Sequence, residues 1–357
     1  MSDKYITLNT KERFRYIDAM RGFAILLVIY SHIVYFSFEI ETTLISIIST
    51  IHMPIFFFIS GLVVKKWQLG SFPEYRNILS KRFVQLVLFP SLVGLLYSCF
   101  ILNHSAIEYA TETMKYGYWF TLSLFWMYVL LFSITLLVNK LAIRSSNKNI
   151  ILGLLCVVTI ILWLGIYLFE NSQIYSLLAN TICLRQTSLY MPFFCLGLYV
   201  QLNRESIKTF LNKRSLLVSM LLFTLFTIIN EFYISDLESL FSNVPVRGLM
   251  LLLIGFTGVS SIFLLFNHLS RLSSGSSLLG RLLVHLGTNT LTIYLFHYFF
   301  LSLFTFIGCY VRKDGNGAID LFIGVASTSL LIWICLTTKY ILEKLLMKRC
   351  KASWQTE

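Results

Sequence analysis

Of the chain's 357 residues, 57% are hydrophobic, 16% aromatic and only 13% charged, and the mean hydropathy is +0.75. Soluble domains carry about 25% charged residues, so the composition excludes a soluble globular domain and predicts an all-α polytopic membrane protein, one domain over 1–357. The net charge of +12 is dispersed between apolar runs rather than gathered in a patch; that spacing argues against nucleic acid as a partner and for membrane lipids.

Lys4, Lys11, Arg13 and Arg15 precede the first apolar run. No small-residue cleavage site follows and many more spans do, so the segment is expected to be retained rather than removed as a signal peptide. Runs long enough to cross a bilayer, about 20 residues, fall at 19–38, 44–64, 83–103, 118–139, 150–169, 188–202, 215–234, 248–267, 288–310 and 319–341, which predicts about ten helices. The sixth run is short and holds Pro192, so a kinked or partly unwound span is expected there. Residues 170–187 form the longest outer connection and predict a short interfacial helix, while Ser273–Ser277 reads as a flexible inner linker.

With the N-terminus inside, 22 of the 29 lysines and arginines fall on inner segments and only Lys115, Arg185, Arg247, Arg312 and Lys313 on outer ones. That positive-inside bias predicts a cytoplasmic N-terminal segment over 1–18 and a basic cytoplasmic tail over 343–357. The seven cysteines contain no C-x-x-C pair and mostly fall inside spans, so neither a metal site nor a disulfide framework is expected.

The first span carries the most informative chemistry. Arg21 and His32 are eleven residues apart, about three helical turns and roughly 16 Å along the axis, and so lie nearly on one face. Asp18, three residues before Arg21, joins that face near the inner rim. An ionisable group within a span is costly and marks a functional hypothesis. His52 in the second span and His297 in the ninth fall at depths comparable with His32. Each imidazole can also be a structural group bonded to a backbone carbonyl between helices, His297 most of all and His32 least, and Pro54 beside His52 disturbs that helix.

Lys81, Arg82 and Gln85 enter the third span at the same inner depth as Arg21. Arginine there can take phosphate through two parallel hydrogen bonds, and basic residues at that depth also anchor a helix to lipid headgroups. Tyr118, Trp119 and Trp126 at the outer rim read as an aromatic belt or a sugar-stacking surface. Glu231, Arg247 and Arg185, near outer span ends, are either solvated or in contact with a polar acceptor.

Tyr16-Ile17-Asp18-Ala19-Met20-Arg21-Gly22 followed by Ser31-His32 resembles the opening signature of the acyltransferase 3 family of integral membrane O-acyltransferases, including its R-x10-H spacing. His52-Met53-Pro54-Ile55-Phe56-Phe57-Phe58-Ile59-Ser60-Gly61 is similar to the family's second-span motif, especially in the fucose-4-O-acetylase-like branch. Tyr118-Trp119-Phe120, Pro192 to Gly197, and Leu286 to His297 also resemble family segments. One departure is visible: many relatives carry R-x-x-R entering the third span, whereas here Gln85 stands in the second arginine's place.

The resemblance implies an acetyl-CoA or related acyl-CoA donor on the cytoplasmic side and a carbohydrate hydroxyl as acceptor, in a multi-pass protein of a bacterial plasma (inner) membrane. His32 is then expected as the base, Arg21 and Arg82, with Lys81 and Gln85 nearby, as donor-binding groups, and Asp18 as the residue orienting Arg21. His52 or Ser60 is a candidate for the developing oxyanion, and Trp119, His297 and Glu231 are candidate substrate contacts. The competing reading is a transporter of a sugar-linked lipid or small solute in which the histidines relay protons, although no internal repeat of the transporter kind is visible. The acceptor, the acyl group, a direct or acyl-histidine route, and the oligomeric state stay open at this point.

Overall fold

The computed structural model describes residues 10–64, 71–140, 148–169, 172–240, 246–269, 276–314 and 317–353. It is 91% helical, with no strand among the described residues. The main helices in chain order are α1 (Thr10–His32), α2 (Thr43–Leu62), α3 (Phe72–Phe83), α4 (Phe89–Phe100), α5 (Ala106–Thr111), α6 (Trp119–Lys140), α7 (Lys148–Phe169), α8 (Gln173–Thr181) and α9 (Leu184–Leu202). They continue as α10 (Arg204–Ile207), α11 (Lys213–Leu240), α12 (Val246–His268), α13 (Leu278–Thr288), α14 (Thr290–Leu301), α15 (Thr305–Asp314) and α16 (Gly317–Ser353).

Nine helical stretches among the described residues are long and apolar enough to cross a membrane. The expectation of ten changes at the sixth run. Its helix, α9, is 19 residues long but too polar to be among the nine, because Arg185, Gln186, Thr187 and Ser188 occupy its first turns. It is also not unwound: Pro192 lies inside a continuous helix. The third span is longer than its apolar run, since the helix starts at Phe72, after Ser71 and with Pro73 in its first turn, where a missing N–H costs nothing. The connection expected to hold a short helix does so in α8, which exposes Ile174, Leu177 and Leu178. Of the inner linker, Ser273 to Gly275 fall outside the described residues, and Ser277 caps α13 by accepting from Gly280 N.

Two π-helical turns interrupt the spans. Ile33–Ser37 follows His32 directly, and its closing bond runs from Phe38 N to Ile33 O at 2.9 Å. Val84–Leu88 follows Arg82 by one residue. Pro90 explains the second: it has no N–H to give the usual carbonyl and its ring crowds the preceding turn, so the ladder widens just before it. Such turns cluster at functional positions.

The chain forms two compact units. The first comprises Met1–His52, Thr224–Ile254 and Leu265–Glu357. Here α1 lies against α13 at backbone contact: a Cβ on Gly22 would strike the Leu283 carbonyl, and one on Gly287 would strike the Asp18 carbonyl. Pairing 22 with 283 and 18 with 287 makes the crossing antiparallel, and only glycine permits so close an approach. Farther along α1, Tyr30 fills the space beside Gly324 of α16, and Ser37 Oγ donates to Leu301 O at 2.9 Å. Asn267 Nδ2 donates to Tyr16 Oη at 2.9 Å.

The second unit comprises Met53–Phe223 and Gly255–Leu264. It repeats the device between α2 and α9. A Cβ on Gly61 would strike the Phe194 carbonyl and one on Gly197 the Phe58 carbonyl, again an antiparallel register. Around that contact Phe57, Trp119 and Tyr190 stack, with centroids 5.0 Å apart for Phe57–Tyr190 and 5.3 Å for Trp119–Tyr190.

A knot at the end of α5 closes this unit. Lys115, read from sequence as one of the few outer cations, is only 4% exposed. Its Nζ donates to the carbonyls of Ala110 at 2.6 Å, Glu112 at 2.7 Å and Asn180 at 2.8 Å, so one ammonium serves the ends of α5 and α8. Lys115 and Tyr116 both take left-handed backbone (φ 49° and 47°), followed by Gly117 at φ 100°. Desolvation pulls the Lys115 ammonium below the usual lysine pKa.

Gly287→Ala is therefore expected to lower stability by about 1–3 kcal/mol, read as a loss of thermal midpoint in detergent, whereas Gly153→Ala, which meets nothing within 4 Å, should be neutral or slightly stabilising. Equal midpoints for the two variants would contradict the close crossing. Lys115→Met leaves three carbonyls without their donor and should cost about 2 kcal/mol or more, seen as earlier proteolytic cleavage of the α5–α6 connection than in the parent protein.

Candidate active site

The sequence places Arg21 and His32 on one face of α1, and α1 is a continuous helix from Thr10 to His32. Both side chains are half-buried. Arg21 Nη1 donates to Asp18 Oδ1 at 3.4 Å, one turn away. The pair is 36% and 18% exposed, so it is worth no more than about 1 kcal/mol in stability. It uses one edge of the guanidinium and leaves the other donors for an anion.

His32 meets a second imidazole. Its Nδ1 lies 3.0 Å from Nε2 of His297, and the rings are inclined by only 22°. His297 is 0% exposed, and its Nδ1 faces the carbonyls of Tyr294 at 2.8 Å and Ile293 at 3.2 Å. Phe36 and Tyr298 flank His32 with centroids at 5.3 Å and 5.2 Å. The π-turn begins at the next residue, and Ser37 ties its far end to the last turn of α14, the helix that carries His297. Position and partner are thus fixed by the same two helices.

The other candidates of this unit stand differently. His52 Nδ1 bonds Ile48 O in its own helix at 2.7 Å, the structural role that was open for it. Glu231 lies on α11, half-buried, and accepts from Ser46 Oγ at 3.0 Å.

In the second unit Arg82 turns inward. Its guanidinium carbon sits 3.5 Å from the centroid of Tyr128 and 5.9 Å from that of Phe132. Stacking over an aromatic face leaves the in-plane N–H edges available, and among the described residues no carboxylate pairs with them. Tyr128 is itself held by a bond from its hydroxyl to Ser60 O at 3.3 Å. Lys81 and Gln85 are exposed, Gln85 within the π-turn. Ser60 Oγ is engaged with Phe56 O at 2.8 Å. Trp119, half-buried, belongs to the stack with Phe57 and Tyr190 described above, and Tyr118, 2% exposed, packs on Gly94.

Two features of the candidate site escaped the sequence reading: the residue Tyr128 and the contact between His32 and His297. Tyr128 looks like any aromatic of an apolar helix, and its signal is only its place inside a span that lies against an arginine-bearing one. The pairing of His32 with His297 joins residues 265 apart, and the hint was a shared depth.

Residues 14–338 match the model of an acyltransferase domain, the acyltransferase 3 family. No curated protein and no solved structure gives a significant match to the chain. The family match covers nearly the whole chain, the spans are those of a multi-pass membrane protein, and the Arg21 and His32 positions that carried the resemblance lie together on α1: the chain belongs to the acyltransferase 3 family of membrane acyltransferases.

Proposed function

We propose that this protein is a membrane-bound O-acyltransferase that moves an acetyl or related acyl group from acyl-CoA, entering from the cytoplasmic side, to a hydroxyl of a cell-surface or lipid-linked carbohydrate in a bacterial plasma membrane. The observation that carries the reading is His32: a half-buried imidazole inside a membrane helix, hydrogen-bonded to a second imidazole and three turns from an arginine on the same face. The carbohydrate acceptor rests on the resemblance to the family as a whole.

A sugar hydroxyl is a poor nucleophile at neutral pH, and a neutral imidazole that takes its proton as it attacks supplies typically 10²–10⁴-fold in rate. In the direct route, the hydroxyl oxygen bonds to the thioester carbonyl carbon while His32 accepts the hydroxyl proton. The carbon–sulfur bond then breaks, and His32 returns the proton to the departing CoA sulfur. Arg21, steadied by Asp18, and Arg82, resting on Tyr128, are the cations assigned to the phosphates of CoA. His52 and Ser60, both bonded to their own helix backbone, are left as structural neighbours in this scheme.

Purified protein in nanodiscs, given radiolabelled acetyl-CoA and membrane glycolipid or surface glycan extract, tests the reading through label in the glycan and free CoA thiol. His32→Ala should lose at least about 10²-fold in transfer while binding CoA normally; near-parental transfer by that variant would end the base assignment. Solute accumulation in vesicles without transfer would point to a carrier instead. Arg82→Gln removes charge-assisted bonds worth about 1.5–3 kcal/mol and should raise KM for acyl-CoA by roughly 10- to 100-fold with kcat little changed. A lowered kcat with unchanged KM would remove Arg82 from donor binding.

A further inference from the structure

We infer that His297 is a positioning residue that fixes the tautomer of His32, making Nε2 of His32 the nitrogen that takes the acceptor's proton. The inference rests on the acyltransferase reading for its chemical meaning, but its structural content stands apart from it.

The chain of hydrogen bonds leaves one neutral arrangement. The carbonyls of Ile293 and Tyr294 can only accept, so the proton of His297 resides on Nδ1, which faces both. In a neutral imidazole the other nitrogen, Nε2, then holds a lone pair. That lone pair lies 3.0 Å from Nδ1 of His32, so His32 must donate there and carry its own proton on Nδ1. Its Nε2 is left as the basic nitrogen. The charged alternative, with protons on both nitrogens of His297, would place an imidazolium in a side chain that is 0% exposed within a membrane span and that no carboxylate among the described residues pairs with, a costly state.

The arrangement also serves the reacting state. When His32 Nε2 takes a proton, the ring becomes an imidazolium and its Nδ1–H bond to His297 becomes charge-assisted, hence shorter and stronger. The flanking rings of Phe36 and Tyr298 limit the water that would otherwise compete for that bond. Without the acceptor at His297, the neutral ring of His32 is free to hold its proton on Nε2, and the basic nitrogen is then Nδ1, which faces position 297 rather than the acceptor hydroxyl. A wrong tautomer of this kind is known to cost up to about 10⁴-fold in a triad whose geometry is otherwise intact.

The test compares two side chains of similar size at position 297, introduced as His297→Gln and His297→Leu. The glutamine presents an amide oxygen near the place of the imidazole Nε2, and the leucine presents no acceptor. Both variants are first checked for monodisperse elution and CoA binding in nanodiscs. His297→Leu is expected to lose about 10²-fold or more in kcat with KM for acetyl-CoA changed little, and His297→Gln to stay within about tenfold of the parent. A role in packing alone would lower the two alike, and that result, or parental kcat in folded His297→Leu, overturns the inference.

Solid-state NMR of protein labelled with ¹⁵N-histidine supplies the readout that needs no activity. With signals assigned by their loss in His32→Ala, parental His32 should be protonated at Nδ1 and bare at Nε2, and His297→Leu should lose that preference. Protonation of parental His32 at Nε2 overturns the inference directly. If the tautomer is as stated but no acyl group moves, the functional reading fails and the positioning of His32 by His297 stands.

Discussion

The first unit depends on a contact with no side chains in it. At Gly22 and Gly287 the backbones of α1 and α13 touch, in an antiparallel register that any Cβ would break. In a membrane there is little hydrophobic driving force between helices, so association relies on close packing and interhelical bonds. The consequence reaches the chemistry through covalent geometry: Gly22 follows Arg21, Gly287 rests on the backbone of Asp18, and α13 leads within two residues into α14, which carries His297. Fixing the Asp18–Gly22 stretch of α1 against α13 therefore sets the guanidinium, its carboxylate partner and, three turns on, the imidazole in one frame.

The second unit uses the same solution for a different purpose. Gly61 and Gly197 bring α2 and α9 together, and around that crossing the Phe57–Trp119–Tyr190 stack and the Tyr128–Ser60 bond are built. Tyr128 then serves as the plate on which Arg82 lies. A guanidinium held by its face keeps its edges for a ligand, and that distinguishes it from one held by a carboxylate. Arg21 and Arg82 are thus steadied in unlike ways, the first by a weak ion pair and the second by an aromatic ring.

Much of this was legible in the residues. Apolar runs located the spans, and the eleven-residue spacing put Arg21 and His32 on one face because a continuous α-helix allows little else. Where the helix departs from regularity, the reading departed too. Pro192 suggested a kinked or partly unwound span, yet α9 is one continuous helix, and its polar first turns keep it from being among the nine apolar stretches. Hydropathy alone began the third span at 83, missing the polar turns from Phe72 that extend it. The glycines were visible only as letters in motifs, and their meaning appears when each is seen facing a carbonyl of another helix. Long-range pairings were the least readable. Depth suggested that three histidines belonged together; His52 and His297 each bond a carbonyl of their own helix, and His297 also turns its second nitrogen to His32.

A cryo-EM map of the protein in nanodiscs with CoA bound is the most direct test of the proposed chemistry. The expected result is CoA phosphate against the guanidinium of Arg21, with the thiol sulfur brought to the His32 imidazole, directly or through one water, the reach that proton transfer needs. A thiol that ends elsewhere, with His32 facing only lipid or protein, would contradict it.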